Sequence, residues 1–446
     1  SGLRAVRERQ HAANTSEVRA HIGRRLGSLA SVGIRHAIRM NRPADVLVWS
    51  NELVETPPPP RQAPDATVRT LTFELRALSH ELVREQAGED PDRRGRLLRR
   101  QQAIHRRLRA RQERNRHAPG AATAAAVAEA RSDTALRVYA VDGDALHVVH
   151  NRGGRLELDS LTSVEELLAA LRQLDFQLRS FLRSGGGEAK RRRLERQAVA
   201  VDRLLGLPGE GADGEISVFV PPVLGAIALG ILPSLCGRPT LQTTMLGAQA
   251  DRVGIPTGIV AVGGSDLIHA TTEAETVGLS YRESTTLTGP AATCQAALRS
   301  MEGADVVHFA AHGRRSPDDP FFDAILLADG PLFTHELEWL ERAPRIAVLA
   351  SCESAVDHSL GDSQRLGVMP SLDRVGVWRT IASPYPLPDN DLTVSVMTNL
   401  HRRLARTGDP VGALAECAID PDLADDALII ARSLVCRGRP VAGPDR

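Results

Sequence analysis

Two short words in the sequence each join an apolar run to a reactive side chain. Val306-Val307-His308-Phe309-Ala310-Ala311-His312-Gly313 leads from strand-forming residues into a glycine, and Ile346-Ala347-Val348-Leu349-Ala350-Ser351-Cys352-Glu353-Ser354 leads from a second such run into a polar segment. A thiol with an unperturbed pKa of ~8.5 is mostly protonated at neutral pH, and an imidazole that takes its proton or stabilises the thiolate makes it a nucleophile. His312 and Cys352 are the candidates for such a pair. Gly313 adds a further element, because acyl transfer needs backbone N–H groups aimed at the developing oxyanion and a glycine lets the main chain approach a substrate closely. The N–H groups of Gly313 and Cys352 are the candidate oxyanion donors. Taken singly, a cysteine behind a strand is commonly a small core residue and a histidine there a hydrogen-bonded structural group. Their joint placement at two strand ends is what favours chemistry.

For these groups to meet, their strands must be neighbours in one sheet, since in open α/β sheets chemistry gathers just beyond the carboxyl ends of parallel strands. From residue 206 onward, short apolar runs alternate with helical stretches, as in a mainly parallel sheet covered by helices on both faces. Strands are expected at Ile216–Val220, Gly258–Val262, Val306–Ala310, Ile346–Ala350 and Thr380–Ser383, with helices around Thr272–Leu279, Ala291–Met301, His335–Glu341 and Asp362–Val375. The preceding segment, 132–205, reads as a β-hairpin plus helices. Leu136–Val141 and Leu146–Val149 flank the turn Asp142-Gly143-Asp144, which has hairpin chemistry. Ser163 and Glu166 then form a capping box before a helix that runs to about Arg183, with Leu167, Leu168, Leu171, Leu174, Leu178, Phe181 and Leu182 on one face. Gly185–Gly187 reads as a flexible loop to the next helix. Residues 1–131 are expected to form a helical accessory region, because Leu71, Leu75, Leu78 and Leu82 keep a helical period and arginine and alanine dominate. Pro57–Pro60 forms a linker, Pro119-Gly120 ends a helical stretch, and the main boundary falls near Arg131.

Composition excludes several classes. Of 446 residues, 42% are hydrophobic and 25% charged, close to soluble globular averages and far from collagen-like or disordered chains. With 55 basic and 55 acidic residues no global field draws the protein to nucleic acid or an anionic membrane. The arginine runs Arg93–Arg100 and Lys190–Arg193 read as solvated helix faces, since glutamates interleave and aromatics for base stacking are scarce. No run reaches the ~18 apolar residues of a membrane span and no secretory leader opens the chain, so a cytoplasmic location is expected. The five cysteines form no CxxC pair and leave one over, which points to reduced thiols rather than a disulfide framework or zinc site. No metal and no cofactor is needed by the chemistry outlined above. The chain opens on Ser1-Gly2 within helix-like sequence, as a piece of a longer protein would.

The His312 and Cys352 words resemble the two motifs of the CHAT family, caspase-like bacterial domains often found beside tetratricopeptide repeats. The likeness extends to Ile216–Pro222, to Thr272–Val277 ahead of a Thr-Leu strand and an Ala-Thr helix cap, to Asp318–Phe322 through Leu326–Leu332 and Glu336-Leu337, to Gly361-Asp362, and to Ile381–Asp389. It covers about residues 132–430. The resemblance implies a caspase-like sheet for 132–446, a catalytic His312 and a nucleophilic Cys352, and a cysteine endopeptidase that cuts specific protein partners through a thioester acyl-enzyme. It also implies control by a sensor, with the helical first 131 residues as the place where a regulatory protein docks. The sequence departs from the family where Ala350-Ser351-Cys352-Glu353-Ser354 replaces Ser-Ala-Cys-Glu-Thr, a swap of small residues, and where Val377-Trp378-Arg379 replaces Gly-Ala-Arg, which is expected to put bulk near a substrate groove. The surroundings of Cys352 also differ from the Q-A-C-[RQG]-G of true caspases, so aspartate specificity is not implied.

Other groups carry two readings each. His308 either orients His312 or is a buried, hydrogen-bonded residue. Asp323, Asp329, Glu353 and Asp362 either form an acidic pocket for a basic side chain or serve as solvated and capping groups; Asp323, Glu353 and Asp362 are the substrate-binding candidates. Cys236, Cys294, Cys417 and Cys436 are assigned to packing. Val262-Gly263-Gly264-Ser265 lacks the glycine spacing of a phosphate loop. Beside the peptidase stands a reading from another class, a catalytically silent scaffold that binds partners through the same fold. A nucleic-acid binder through the arginine-rich helices is the third.

Overall fold

The computed structural model of the protein describes residues 29–52, 66–85, 91–112, 135–152, 154–207, 214–243, 254–316, 322–351, 358–360 and 364–439. The expected linker Pro57–Pro60, the break at Pro119-Gly120 and the boundary at Arg131 lie outside the described residues. In chain order the strands are β1 (Ala135–Asp142), β2 (Ala145–Arg152), β3 (Arg155–Ser163), β4 (Ile216–Phe219), β5 (Thr240–Thr243), β6 (Gly258–Gly263), β7 (Glu283–Leu287), β8 (Val306–Ala310), β9 (Gly313–Arg314), β10 (Ala324–Leu327), β11 (Gly330–Phe333), β12 (Ile346–Ala350), β13 (His358–Leu360), β14 (Gln364–Leu366), β15 (Arg379–Ala382) and β16 (Val435–Gly438).

Eleven of them make one sheet in the order β3-β2-β1-β4-β5-β16-β15-β12-β8-β6-β7. Parallel pairing joins β15, β12, β8, β6 and β7 into one block, and β1, β4, β5 and β16 into another. The blocks meet at the antiparallel pair β15·β16 and therefore run in opposite directions. The expected strand at Ile216 thus belongs to a block that points away from the one carrying His308.

Successive residues of a strand face opposite sides of the sheet, and the core divides accordingly. Val306, Ile346, Val348 and Ile381 face a layer built from the helices Val164–Ser184, Glu188–Leu204 and Asp391–Thr407. Val307, Phe309, Ala347 and Leu349 face Cys294–Ser300, Thr334–Leu337 and Val368–Val375. The expectation of helices on both faces holds.

Local signals account for most element ends. Gly143, at φ 62, makes the β1–β2 turn, a backbone region that glycine enters without steric cost. Ser163 caps the Val164–Ser184 helix by accepting from Glu166 N–H at 3.0 Å. The Glu166 carboxylate takes the Thr162 hydroxyl at 2.6 Å. Thr293 caps Cys294–Ser300 in the same way. The helix expected from Asp362 begins instead at Val368, because Gln364–Leu366 is strand and Gly367, at φ 133, separates the two. Asp362 itself lies outside the described residues.

The helical first region shares cores with the rest of the chain. Helix 29–39 and helix Pro43–Glu52 contribute Ile34, Ala37, Val46 and Leu47 to a cluster with Leu136, Val138 and Phe219. On the helix Ala66–Glu85, Leu71, Leu75 and Leu78 pack against Phe322, Ala324 and Phe333 around β10 and β11. No helix among the described residues is long and apolar enough to cross a membrane.

Inside the sheet's first face lies a polar chain. Tyr281 Oη is 2.9 Å from His401 Nδ1, His401 Nε2 is 3.0 Å from His308 Nδ1, and His308 Nε2 is 3.0 Å from Glu273 Oε1. One proton assignment satisfies every atom: the tyrosine donates to His401, His401 donates to His308, and His308 donates to the carboxylate. His308 and His401 are fully buried. Burial, then the neighbouring His308 ring, holds His401 well below the ordinary histidine pKa. An unfolded chain takes up a proton there below about pH 6.5 while the fold refuses it, so stability falls as pH drops through that value, by about 1.4 kcal/mol per pH unit for one such group. Thermal unfolding followed from pH 7.5 to 5 is expected to show this loss, and His401→Gln is expected to flatten it.

Candidate active site

The site grows from the pairing of β8 with β12. The two strands are parallel and in register, Val306 opposite Ile346, His308 opposite Val348 and Ala310 opposite Ala350, and every residue in both is buried. Long apolar runs are what a parallel strand covered on both faces requires. With β6 on one side and β15 on the other, their carboxyl ends share one edge of the sheet. His312 lies at that edge, one residue past Ala311. Ser351, also buried, directly follows β12. Cys352 and Glu353 lie outside the described residues.

His312 is partly exposed, and its Nε2 is 3.3 Å from the carbonyl oxygen of Asp266. A carbonyl only accepts, so Nε2 carries a proton, and in the neutral ring the lone pair falls on Nδ1. Asp266 stands in the loop after β6 at φ 65, a left-handed conformation that costs most L-residues about 1–2 kcal/mol and that aspartate tolerates better than most. The loop crosses the strand tips closely. Gly264 N–H donates to Ala310 O at 2.8 Å, and a Cβ at Gly264 would come within 2.6 Å of Ala311 Cβ and 2.7 Å of Leu326 O. Only hydrogen fits there. The Gly263-Gly264 pair thus serves close packing and brings a carbonyl to the histidine, a role its sequence pattern did not announce.

Beyond His312 the chain enters β9, which pairs with β10. Leu326 N–H donates to His312 O at 2.9 Å, which makes Gly313 and Ile325 the narrow, non-hydrogen-bonded pair of that ladder. The N–H of Gly313 therefore faces away from β10. Arg314 follows, with its guanidinium 5.8 Å from the Phe333 ring. Burial pulls its pKa below the usual arginine value, opposed by the charge of Asp323.

The acidic residues have particular partners. Asp323 is buried and its Oδ1 accepts from Ser316 N–H at 2.7 Å. Asp329 accepts from Cys294 N–H at 2.7 Å and lies 3.8 Å from Arg76, so it caps a helix and pairs with the accessory region. His308 contacts Glu273 and His401, the buried reading of the two given for it. Cys294, Cys417 and Cys436 are buried, and Cys236 is half-buried. Burial pushes all four thiols upward, those of Cys417 and Cys436 to about 12, which leaves them poor nucleophiles.

One expectation is corrected. Val377 and Arg379 are buried at the amino-terminal side of β15, where Arg379 pairs with Ile346. That is the opposite end of the strands from His312. The bulk of this segment packs into the core, with Arg379 over the Trp378 ring at 4.6 Å, and does not border a groove at the histidine's edge.

The CHAT domain family matches residues 228–420, a span that contains His312, Cys352 and all of the β6–β8–β12–β15 block. No curated protein matches the sequence. Among solved structures, a chain of the Saccharomyces cerevisiae separase–securin complex at 3.0 Å is similar with a TM-score of 0.53 and 9% identity, over 95% of this chain and 36% of that one. A second structure of the complex, at 2.6 Å, has a TM-score of 0.49 and 7% identity over 95% and 37% of the two chains. The present chain thus spans little more than a third of the chains it resembles. At such identity the likeness is one of fold, and that fold is caspase-like. The family match and the sheet thus agree: residues 228–420 match the CHAT domain family, and the fold of the chain is caspase-like.

Proposed function

We propose that the protein is a cysteine endopeptidase in which Cys352 is the nucleophile and His312 its base. The register of β8 with β12 carries this reading, because His312 follows the matched pair Ala310·Ala350 by two residues on one strand and Cys352 follows it by two on the other. His312 Nδ1 takes the thiol proton, and Cys352 Sγ attacks the scissile carbonyl carbon to give a tetrahedral oxyanion. The N–H groups of Gly313 and Cys352 are the proposed donors to that oxygen; the outward turn of the Gly313 N–H from β10 supports the first. As the C–N bond breaks, the imidazolium gives its proton to the leaving amine and a thioester remains. Water, activated by the neutral imidazole, then releases the carboxylic acid and restores the thiol. The proposed substrates are specific proteins. Asp323, Glu353 and Asp362 are the proposed origin of any preference for a basic side chain, Asp323 acting through its field because its carboxylate already holds Ser316.

Labelling with a thiol-directed acyl electrophile tests the pair. Selective modification of Cys352 that disappears in His312→Ala is the expected result, together with loss of partner cleavage in Cys352→Ala at an unchanged melting temperature. Slow, uniform labelling of several cysteines would favour the silent scaffold.

Residues 1–131 are proposed as an accessory region through which a regulatory protein acts on the 132–446 domain. The support is a buried contact. Arg76, on helix Ala66–Glu85, pairs with Glu336 and donates from Nε to Pro331 O at 3.2 Å, while Thr72 Oγ1 lies 3.2 Å from His335 Nε2. Pro331 belongs to β11, β11 pairs with β10, and β10 holds the His312 carbonyl. A partner that shifts the helix would therefore pull on the histidine's own strand end. Removing one member of a buried ion pair costs about 3–5 kcal/mol, whereas replacing both by apolar residues is often neutral. Arg76→Ala is expected to lose stability on that scale. The double variant Arg76→Met with Glu336→Leu is expected to regain only part of it, because Glu336 Oε2 also accepts from Phe333 N–H at 2.9 Å, and yet to alter the labelling rate of Cys352; an unaltered rate would remove the coupling.

A further inference from the structure

We infer that Asp389 is a positioning residue for His312, acting through the 265–269 loop. The inference rests on the proposed His312–Cys352 pair. Asp389 lies between β15 and the N-cap Asn390 of the helix Asp391–Thr407, so two distant segments meet here. Its Oδ2 accepts from Ile268 N–H at 2.7 Å, and its Oδ1 accepts from His269 N–H at 3.0 Å and lies 3.2 Å from His269 Nδ1. Two neighbouring backbone amides bound by one carboxylate form a clamp rather than a chance contact, and hydrogen bonds to an ionised acceptor are the stronger kind.

The clamp has a firm base. Asn390 caps the following helix by accepting from Leu392 and Thr393, and Thr393 Oγ1 donates to Pro388 O at 2.6 Å. On the other side of the loop, Gly264 N–H is held by Ala310 O and Ser265 Oγ donates to Leu327 O at 3.3 Å. Asp266 lies between these anchorages, in its left-handed conformation, with its carbonyl oxygen on His312 Nε2. Hydrophobic burial does not secure the carboxyl-terminal half of the loop, for Ile268 is 86% exposed. The Asp389 carboxylate is what fixes it. Charged and titratable groups facing His269 are Asp389 and, at 3.4 Å from Nε2, the well-exposed Asp391.

Without the clamp the 266–269 backbone can relax, the Asp266 carbonyl leaves the imidazole, and His312 no longer presents Nδ1 in a fixed direction. A displacement of about 1 Å in catalytic geometry costs up to about a hundredfold in rate. The test measures alkylation of Cys352 by iodoacetamide from pH 5 to 9, by peptide mass spectrometry on the full chain, in the unsubstituted protein and in His312→Ala, Asp389→Ala and Asp389→Asn. Amide hydrogen exchange at 266–269 and the melting temperature are recorded for each. We expect Asp389→Ala to slow alkylation at pH 7 by about tenfold or more, to move its pH profile toward that of an unassisted thiol near pH ~8.5, and to speed exchange at 268 and 269. Asp389→Asn keeps one acceptor oxygen and should recover part of the rate. If His312→Ala slows alkylation while both Asp389 variants keep the unsubstituted profile, the inference is overturned and the pair stands. A lower melting temperature with an unchanged profile overturns it likewise, leaving Asp389 structural. If His312→Ala changes nothing, the pair itself fails and this inference falls with it.

Discussion

The placement of His312 depends on the register between β8 and β12. Both strands are buried on both faces, and alternation divides their side chains between two different helical layers. A slip of one residue would exchange the faces. Phe309 would leave its layer around Leu337 and Leu372, and His308 would enter it, away from Glu273 and His401. A buried imidazole without partners costs about 1–3 kcal/mol or more, so the polar chain on one face and the aromatic ring on the other both oppose the shift. A histidine with no place at the candidate active edge thus helps to hold the one that has.

Around that pair the fold adds supports in order of distance. The loop after β6 supplies a carbonyl to the imidazole, and the β9–β10 ladder holds the peptide on the other side of the same residue. Behind the ladder, β11 and the short helix Thr334–Leu337 rest on Arg76, Thr72 and the leucines of the accessory helix. Residues far apart in the chain thereby bear on one side chain through backbone contacts, a rigid way to hold geometry because few rotatable bonds intervene.

Much of this frame was legible in the sequence, for physical reasons. β8 and β12 appear with the expected bounds because a strand buried on both faces must be apolar throughout. The hairpin at Gly143 and the cap at Ser163 were readable because both are local, the one a matter of φ and the other of a side chain three residues from its donor. Thr240–Thr243 and Val435–Gly438 gave no such signal, since Thr-Leu-Gln-Thr and Val-Cys-Arg-Gly are short, are not continuous apolar runs and are strands only because of their neighbours. The reversal between β15 and β16 depends on a pairing that nothing near either segment encodes. Of the proposed site, His312, Cys352 and Gly313 stood out by type and position. Asp266 acts through its backbone, and Asp389 through amides more than a hundred residues away, so neither role is visible in the side chain alone. The helix expected from Asp362 went astray because a glycine at φ 133 ends one element and begins the next.

The position of β16 bears on synthesis. It is the last strand in the described chain, yet it lies in the interior of the eleven-stranded sheet, between β5 and β15. Chains emerge from the ribosome amino terminus first and fold as they do so, but here the two parallel blocks have no seam until residues 435–438 arrive. Until then β5 and β15 each present an open edge, a surface that invites wrong pairing. A nascent chain that already carries its histidine and thiol is therefore kept from its finished architecture until translation has passed both by a wide margin.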